Sequence, residues 1–284
     1  MISNNVILNR LFTQNVFFDM LYDSNNITYN TVIQRYVDDL EAKDNGELIS
    51  EIYEFISKSY RNEYFYQNTL LNKLLLGKHS IKTTTALTQI PINKSKADFI
   101  LINGKAVVYE IKTELDSLDR LDTQLRDYYK AFNHVCVVTS GSHYERVLST
   151  LKDTPVGIYV LTRQNTISSS MKKEPVADNS SLDYTVIFKV LHKQEHKNIL
   201  MRYYGKLPVT SQVFYYNECL KLFSQIPILD AYNMTLRELK KRNKILVGEF
   251  QKVPYELKSL IYFSHPSKAD WKALSCFLSK KYGG

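Results

Sequence analysis

The chain has 284 residues, of which 44% are hydrophobic, and its formal net charge is +8. This length suits one large domain or two ordinary ones, and the hydrophobic content is ample for a globular core, which excludes an intrinsically disordered chain. No stretch approaches the apolar length of a transmembrane helix, and the amino terminus lacks the basic-then-apolar layout of a secretion signal. We therefore expect a cytoplasmic protein without membrane association.

The first 45 residues are rich in Asn, Tyr and Asp and predict helices or turns of an amino-terminal extension. Residues 47–77 have the apolar spacing of helices. Glu63 lies on the same helical stripe as Leu70, which points its carboxylate along the side that faces the core. Alternatively, Glu63 is an acidic residue in the first turn of a helix, where the helix dipole stabilises its negative charge. Arg61 is a candidate to contact phosphate or simply faces solvent.

Three strands are predicted in the middle of the chain. The Thr-rich residues 82–90 predict the first strand, which we expect Pro91 to end. Two β-branched runs follow at residues 99–102 and 106–112, and the intervening Asn103-Gly104-Lys105 is a strong hairpin signal. The second and third strands should therefore be antiparallel neighbours.

Charged residues occur within this hairpin. Because side chains alternate along a strand, Glu110 and Lys112 share a face with Val108. Charges in a buried strand cost free energy unless they are paired or bound to a metal, although the exposed face of an edge strand is the other interpretation. Asp98 joins the same face if the hairpin has a three-residue loop with a left-handed Gly104, or a bulge, and we predict that register.

The next elements alternate between helix and strand, at residues 118–132, 134–138, 143–151 and 156–161. Gln124 and Tyr128 lie four residues apart on the first of these helices, on a face beside its core stripe. An amide and a phenol can bond phosphate or a base edge, or they form a surface pair. The order αβββαβαβ predicts an α/β protein with a mixed sheet flanked by helices.

The last part of the chain is basic. A strand is predicted at residues 184–192, with helices after it. From Arg237 to the end there are eleven basic and four acidic residues, a net charge of +7. Such a segment predicts a sequence-independent grip on a phosphate backbone, or else a solvated helix surface. The candidate contacts are Lys240, Lys241 and Arg242.

The predicted boundaries divide the chain into four parts. These are the extension at 1–45, a core at 46–165, a linker or mobile loop at 166–183 that is rich in Ser and Lys, and a basic, mostly helical carboxy-terminal domain at 184–284.

Asp98 followed by Glu110-Ile111-Lys112 on the next strand resembles the signature of the PD-(D/E)XK, or restriction-endonuclease-like, nuclease superfamily. Ala97 stands where the superfamily name has Pro. The similarity covers residues 60–162 and implies a three-layer α/β core. Gln124 and Tyr128 resemble the Gln-x-x-x-Tyr element of the RecB-like branch.

The segment Ser117-Leu118-Asp119-Arg120-Leu121 resembles a feature of the "sce"-type family of uncharacterised bacterial proteins, which is assigned to that superfamily. Together these resemblances imply a metal-dependent nuclease that acts on DNA in preference to RNA. They also imply a setting in defence against foreign DNA or in DNA repair. A non-catalytic nucleic-acid-binding subunit of a larger complex, with a protein partner, is the alternative.

The resemblance also implies roles for individual residues. Asp98 and Glu110, with the main-chain carbonyl of Ile111, would hold Mg²⁺ or Mn²⁺. Glu63 would join them, since a helix before the first core strand often brings a Glu to the metal in this superfamily. Lys112 would orient the attacking water or stabilise charge on the phosphate.

Overall fold

The structure is a computed structural model that describes residues 5–23, 25–40 and 43–283. Its centre is a five-stranded sheet in the order β1-β2-β3-β4-β5. The strands are β1 (Thr85–Ile92), β2 (Ser95–Asn103), β3 (Lys105–Lys112), β4 (Val135–Ser140) and β5 (Gly157–Leu161). The first three strands are antiparallel neighbours, and β4 and β5 continue the sheet in parallel to β3. The protein is therefore a mixed α/β fold.

Helices precede, interrupt and follow the sheet. Those before it are α1 (Val6–Leu11), α2 (Gln14–Tyr22), α3 (Ile27–Tyr36), α4 (Asn45–Ser59) and α5 (Glu63–Leu70), which a π-helical segment (Leu71–Leu76) extends. Those between and after the strands are α6 (Leu121–Tyr129), α7 (Tyr144–Leu151), α8 (Tyr184–Val190), α9 (Lys193–Tyr204), α10 (Gln212–Phe223), α11 (Ile228–Lys240), α12 (Val247–Lys252), α13 (Lys258–Ser264) and α14 (Lys268–Ser279). No helix in the described part of the chain is both long and apolar enough to cross a lipid bilayer.

Both faces of the sheet are buried. One face, with Phe99 and Leu101, packs against α1–α5 and α12–α14. The other face, with Ile100 and Ile102, packs against α6–α11. Because helices cover both sides, every residue of β4 and β5 is buried, as is usual for parallel strands in α/β proteins.

The two ends of the chain contribute to the same core as the sheet. Tyr29 of α3 donates a hydrogen bond to Asn45 Oδ1 at 2.5 Å, and Asn45 Nδ2 donates to the Phe277 carbonyl of α14 at 3.0 Å. The predicted amino-terminal extension is thus part of one helical layer together with α12–α14. The region 184–284, which we expected to form its own domain, is divided between the two faces of the sheet.

The predicted elements of the central part occur close to their expected positions, and two predictions are wrong. Pro91 does not end β1, since it pairs with Lys96 of β2; a proline is tolerated there because β1 is an edge strand. Residues 184–190 form helix α8 instead of a strand. The Asp183 side chain caps this helix by accepting a hydrogen bond from the Val186 N–H at 2.9 Å.

The segment at 166–183 runs along the free edge of β5. Ile158 and Lys173 exchange two main-chain hydrogen bonds, of 2.7 and 2.8 Å. Gly157 permits this close approach, because a Cβ atom at that position would lie 2.7 Å from Pro175 Cδ. The segment therefore covers an edge of the sheet instead of linking two domains.

The basic run at the end of α11 is partly held inside the fold. The Arg242 guanidinium donates to both carboxylate oxygens of Glu195, at 2.7 and 2.5 Å, and to the Val190 carbonyl at 2.8 Å. The Arg242 and Glu195 side chains are only 14% and 11% exposed. Lys241 pairs with Glu238, whereas Lys240 is exposed. This placement favours a structural role for Arg242, which joins the end of α11 to α8 and α9.

We expect Arg242→Ala to lower the free energy of unfolding by about 3 kcal/mol, because it leaves the Glu195 carboxylate largely buried without its partner. Urea unfolding followed by circular dichroism measures this change. Lys240→Ala removes an exposed positive charge two residues away and should change stability by less than about 0.5 kcal/mol. Equal effects of the two substitutions would contradict the structural role of Arg242.

Candidate functional site

The hairpin of β2 and β3 has the register that was predicted for a three-residue loop. Ile102 pairs with Ala106, and the pairing continues to Asn103 and Lys105, so Gly104 is the single residue between the two strands. Gly104 has a φ of +74°, a left-handed conformation that glycine adopts without steric cost. The pairing about Gly104 sets which residues of β2 lie opposite which residues of β3.

Asp98 consequently lies beside the charged residues of β3. In the register that pairs Phe99 with Tyr109, the residue opposite Asp98 is Glu110. The main-chain N–H of Ile111 donates a hydrogen bond to Asp98 Oδ2 at 2.8 Å. The predicted register is confirmed, and it brings the three residues of the motif together.

Glu110 and Lys112 form a buried ion pair in the middle strand of the sheet. The two residues are 1% and 8% exposed, and Lys112 Nζ lies 2.8 Å from Glu110 Oε1. The interpretation of these residues as the exposed face of an edge strand is therefore wrong. A pair at such a position is costly unless its remaining hydrogen-bonding groups also have partners.

Helix α6 supplies these partners. The Tyr128 hydroxyl donates to Glu110 Oε2 at 2.5 Å, and Gln124 Oε1 accepts a hydrogen bond from Lys112 Nζ at 2.8 Å. Tyr128 is fully buried, and burial together with the negative charge of Glu110 raises the pKa of its phenol. Gln124 and Tyr128 are therefore not a surface pair. They hold the two charged side chains of β3, and their direct contact with nucleic acid stays a prediction.

A residue that sequence analysis missed fixes the position of α6. The Asp127 carboxylate accepts hydrogen bonds from Asn93 Nδ2 at 2.5 Å and from Ser95 Oγ at 2.8 Å, in the turn between β1 and β2. Burial alone would raise the pKa of Asp127, but these hydrogen bonds and one from Lys130 outweigh it, so the pKa is lowered. Asp127 thus stays ionised and fastens α6 to the sheet beside Tyr128.

Asp98 lies in a strongly acidic environment. Burial is the largest cause that raises the pKa of Asp98, to about 8, and the negative charges of Glu110 and Glu63 add to it. The Ile111 N–H and the Lys112 ammonium act in the opposite direction. Asp98 therefore retains its proton at neutral pH, which removes one negative charge from the cluster.

Glu63 lies at the border of this cluster, in the first turn of α5. Burial raises the pKa of Glu63, and the negative charges of Asp116 and Glu110 raise it further. Its side chain keeps exposed surface, and its Oε1 accepts a hydrogen bond from Gln89 Nε2 at 3.2 Å. The structure thus brings Glu63 towards Asp98, together with Asp116, which sequence analysis did not identify.

Gln89 of β1 is a second residue that sequence analysis missed. Thr88 and Ile90 pair with β2, whereas Gln89, which lies opposite Asp98 in this register, interrupts the pairing. Its φ is +54°, which is uncommon for a residue other than glycine and costs about 1–3 kcal/mol. Backbone strain of this kind is concentrated at functional sites, and no local sequence pattern signals it.

A cleft of about 740 Å³ opens beside these acids. Its lining includes Glu63, Gln67, Thr88, Gln89, Thr113 and Asp116. Gln67 Nε2 and Thr88 Oγ1 both donate to the main-chain oxygen of Asp98, at 3.4 and 2.8 Å. Two residues that line the cleft thus contact the main chain of Asp98, on the side of α5.

Arg61, a predicted phosphate contact, is engaged within the protein. Its guanidinium lies 3.0 Å from Glu114 Oε1 and donates to the Leu161 carbonyl at 3.3 Å. It also lies 5.3 Å from the ring centres of Phe65 and Tyr66. With a side chain that is 9% exposed, Arg61 is placed for a structural role.

The donor set near Asp98 is compatible with a hard cation that keeps water ligands. Among the described residues, no group of three or more His, Cys, Asp or Glu side chains is placed to hold a metal ion. Asp98 and Glu110, with the Ile111 carbonyl, would instead provide two carboxylates and one main-chain oxygen, which suits Mg²⁺ because it retains several waters. The raised pKa of Asp98 reflects its burial first and the negative charges of Glu110 and Glu63 second.

Fold and site together define a mixed α/β protein with a five-stranded sheet and a buried acid–lysine pair in its central strand. The family described as Bacteriophage P4 protein cII matches residues 57–259. This range is more than half of the chain, so the chain belongs to that family. The matched range includes Glu63, Asp98 and the whole of β3 and α6.

Protein cII of Enterobacteria phage P4 is 26% identical to this chain over 159 residues. The match covers 55% of this chain and 57% of the phage protein, so the chain spans less than two thirds of that relative. No solved structure gives a significant match. These descriptions name no activity, and the resemblance to nucleases stays a prediction.

We expect the Asp98 carboxyl to titrate with a midpoint of about 8, which ¹³C NMR of the side-chain carboxyls measures, with Asp98→Asn to assign the signal. Because the folded-state pKa lies above the ordinary value of 3.8, the folded state binds this proton more tightly than the unfolded chain. The stability that Asp98 contributes is therefore complete in acid and is lost as the pH rises through about 8.

Two comparisons test the cause of this shift. Glu110→Gln should lower the Asp98 midpoint, because it removes a neighbouring negative charge. In urea unfolding, Asp98→Asn should remove the loss of stability between pH 5 and pH 8 that the wild type shows. A midpoint near the ordinary 3.8 in the wild type would contradict the acidic cluster.

Proposed function

We propose that this protein is a metal-dependent nuclease that hydrolyses phosphodiester bonds, preferably in DNA, and that its centre is a restriction-endonuclease-like core. The observation that carries the proposal is the register of the β2–β3 hairpin. It places the Asp98 carboxylate on the Ile111 N–H, directly beside the Glu110–Lys112 ion pair. A mixed sheet with helices on both faces supports the proposed core.

In this proposal each residue of the site has a distinct task. Asp98 and Glu110 would hold a Mg²⁺ or Mn²⁺ ion, with Asp98 ionised in that state, because carboxylate ligands must be deprotonated. Such an ion would supply Lewis-acid chemistry for the activation of water and for neutralising charge on the phosphate. Lys112 is held between Glu110 and Gln124, so its ammonium is fixed in place to stabilise negative charge in the transition state.

The surrounding residues position this machinery. Tyr128 orients the Glu110 carboxylate through its hydroxyl, and Gln89 orients Glu63 at the cleft. Exposed Glu63 and the cleft beside it provide the side from which a phosphate approaches Asp98. Defence against foreign DNA or DNA repair is the setting that we propose.

A non-catalytic nucleic-acid-binding subunit is a second candidate, and the burial of the ion pair favours it. Glu110 is 1% exposed, and both of its carboxylate oxygens already have partners within the protein. A pair so enclosed also suits a purely structural role in the sheet. Binding of nucleic acid without turnover would distinguish this candidate from the enzyme.

We expect Asp98→Asn, Glu110→Gln and Lys112→Met each to lower metal-dependent DNA cleavage by roughly 100-fold or more, because each removes a group that acts on the transition state or its cation. Gel assays with plasmid and single-stranded DNA, in Mg²⁺, Mn²⁺ or chelator, measure the rates. These substitutions keep side-chain size, but removing one charge of the buried pair would still cost about 3–5 kcal/mol of stability, because it leaves the other charge unpaired.

Lys105→Met is the matched control, since it removes an exposed lysine from the same strand and should leave cleavage unchanged. If a single variant fails to fold, the double variant Glu110→Gln/Lys112→Met serves instead, because it leaves no unpaired charge in the pair. Full activity in any folded site variant would remove that residue from the site. Wild-type binding without cleavage would support the second candidate.

A further inference from the structure

A second cleft, of about 420 Å³, lies between α9 and α10. We call it the α9–α10 cleft, and its lining includes Leu191, Lys193, His196, Lys197, Tyr215 and Tyr216. The helices that form it belong to the layer that also contains α6, but Asp98, Glu110 and Lys112 do not line it. Its chemistry is therefore independent of the acidic site.

His196 forms the buried wall of the cleft. It is 3% exposed, and its ring packs on Phe188 with 4.7 Å between the ring centres. Its Nδ1 atom has no hydrogen-bond partner within the described part of the chain. A buried polar atom without a partner is unfavourable, so a hydrogen-bonding group in the cleft that reaches Nδ1 would stabilise this imidazole.

Two lysines and two tyrosines form the rest of the polar lining. The Lys193 and Lys197 ammonium groups lie over the Tyr215 ring, 6.0 and 5.3 Å from its centre. Tyr216 is 45% exposed at the mouth of the cleft. Lysines bind the phosphate of a nucleotide, and aromatic rings stack on its base, whichever base it carries.

The surface around the α9–α10 cleft also combines basic residues with exposed aromatic rings. Residues 193–221 include five Lys and Arg and two Asp and Glu, and one of these acids, Glu195, is already paired with Arg242. Tyr203 and Phe214 are 44% and 60% exposed on the same two helices. Exposed positive charge and exposed aromatic rings thus occur together here, which suits a polyanion with aromatic bases.

We propose that the α9–α10 cleft binds a nucleotide unit, an aromatic base with its phosphate, from single-stranded nucleic acid or from a free mononucleotide. Lys193 and Lys197 bind the phosphate, the rings of Tyr215 and Tyr216 stack on the base, and His196 forms a hydrogen bond to the bound unit. This binding does not depend on cleavage at Asp98 and Glu110.

The test is the binding of a fluorescein-labelled 12-nucleotide oligothymidylate, followed by fluorescence anisotropy in EDTA so that metal-dependent cleavage cannot remove the probe. The double variant Lys193→Ala/Lys197→Ala should bind about tenfold more weakly or worse. Its plot of log affinity against log salt should be less steep by about 0.7, because the neutralisation of one phosphate of a single strand is lost.

The matched control is Lys268→Ala/Lys272→Ala. These lysines are also exposed and four residues apart on one helix, α14, which covers the opposite face of the sheet. The control changes the net charge by the same amount and should leave affinity unchanged. Equal losses in the two double variants would overturn the proposal, as would wild-type protein that binds neither the oligonucleotide nor thymidine monophosphate.

Two further measurements identify the role of the ring and the source of the nucleotide. Tyr215→Leu should weaken binding about tenfold, whereas Tyr215→Phe should retain it, because stacking needs the ring and not the hydroxyl. Competition by thymidine 5′-monophosphate would indicate a free nucleotide, and its failure to compete would indicate a strand. Glu110→Gln should bind the oligonucleotide normally. A loss of cleavage can therefore be distinguished from a loss of nucleotide binding at the α9–α10 cleft.

Discussion

The buried ion pair of Glu110 and Lys112 is the constraint on which the arrangement of this protein depends. Two charges in the central strand of a sheet are tolerated only when their remaining hydrogen-bonding groups find partners. Tyr128 and Gln124 of α6 are those partners, and Asp127 fastens the same helix to the turn between β1 and β2. The position of α6, and with it one helical layer, therefore follows from the need to satisfy one pair of charges.

The same constraint gives the site its electrostatic character. Lys112 pairs with Glu110, but burial of Asp98 and the negative charges of Glu110 and Glu63 raise the pKa of Asp98 to about 8, so Asp98 holds a proton at neutral pH. In the proposed nuclease, ionisation of Asp98 and the binding of a cation would be coupled, since each would favour the other. The strained Gln89 lies opposite Asp98 in the sheet and lines the cleft on the side of α5.

The segment with the most positive charge in the sequence and the α9–α10 cleft are different parts of the folded protein. The basic run after residue 237 contributes Arg242 and Lys241 to ion pairs with Glu195 and Glu238, so part of its charge is neutralised inside the fold. The α9–α10 cleft, which carries fewer lysines, combines them with exposed rings and with the His196 imidazole, whose Nδ1 atom has no hydrogen-bond partner among the described residues. The density of basic residues in the sequence therefore did not point to the α9–α10 cleft, where lysines and aromatic rings occur together.

The sequence by itself determined the hairpin, its register about a left-handed Gly104, the face shared by Asp98 and Glu110, and the alternation of α6, β4, α7 and β5. These features follow from turn chemistry and from apolar periodicity, which act over a few neighbouring residues. Only the tertiary structure decided that 184–190 is a helix, that the two ends of the chain share one core, and that Arg61 and Arg242 are paired within the fold. Those outcomes depend on contacts between residues far apart in the chain, which no local pattern contains.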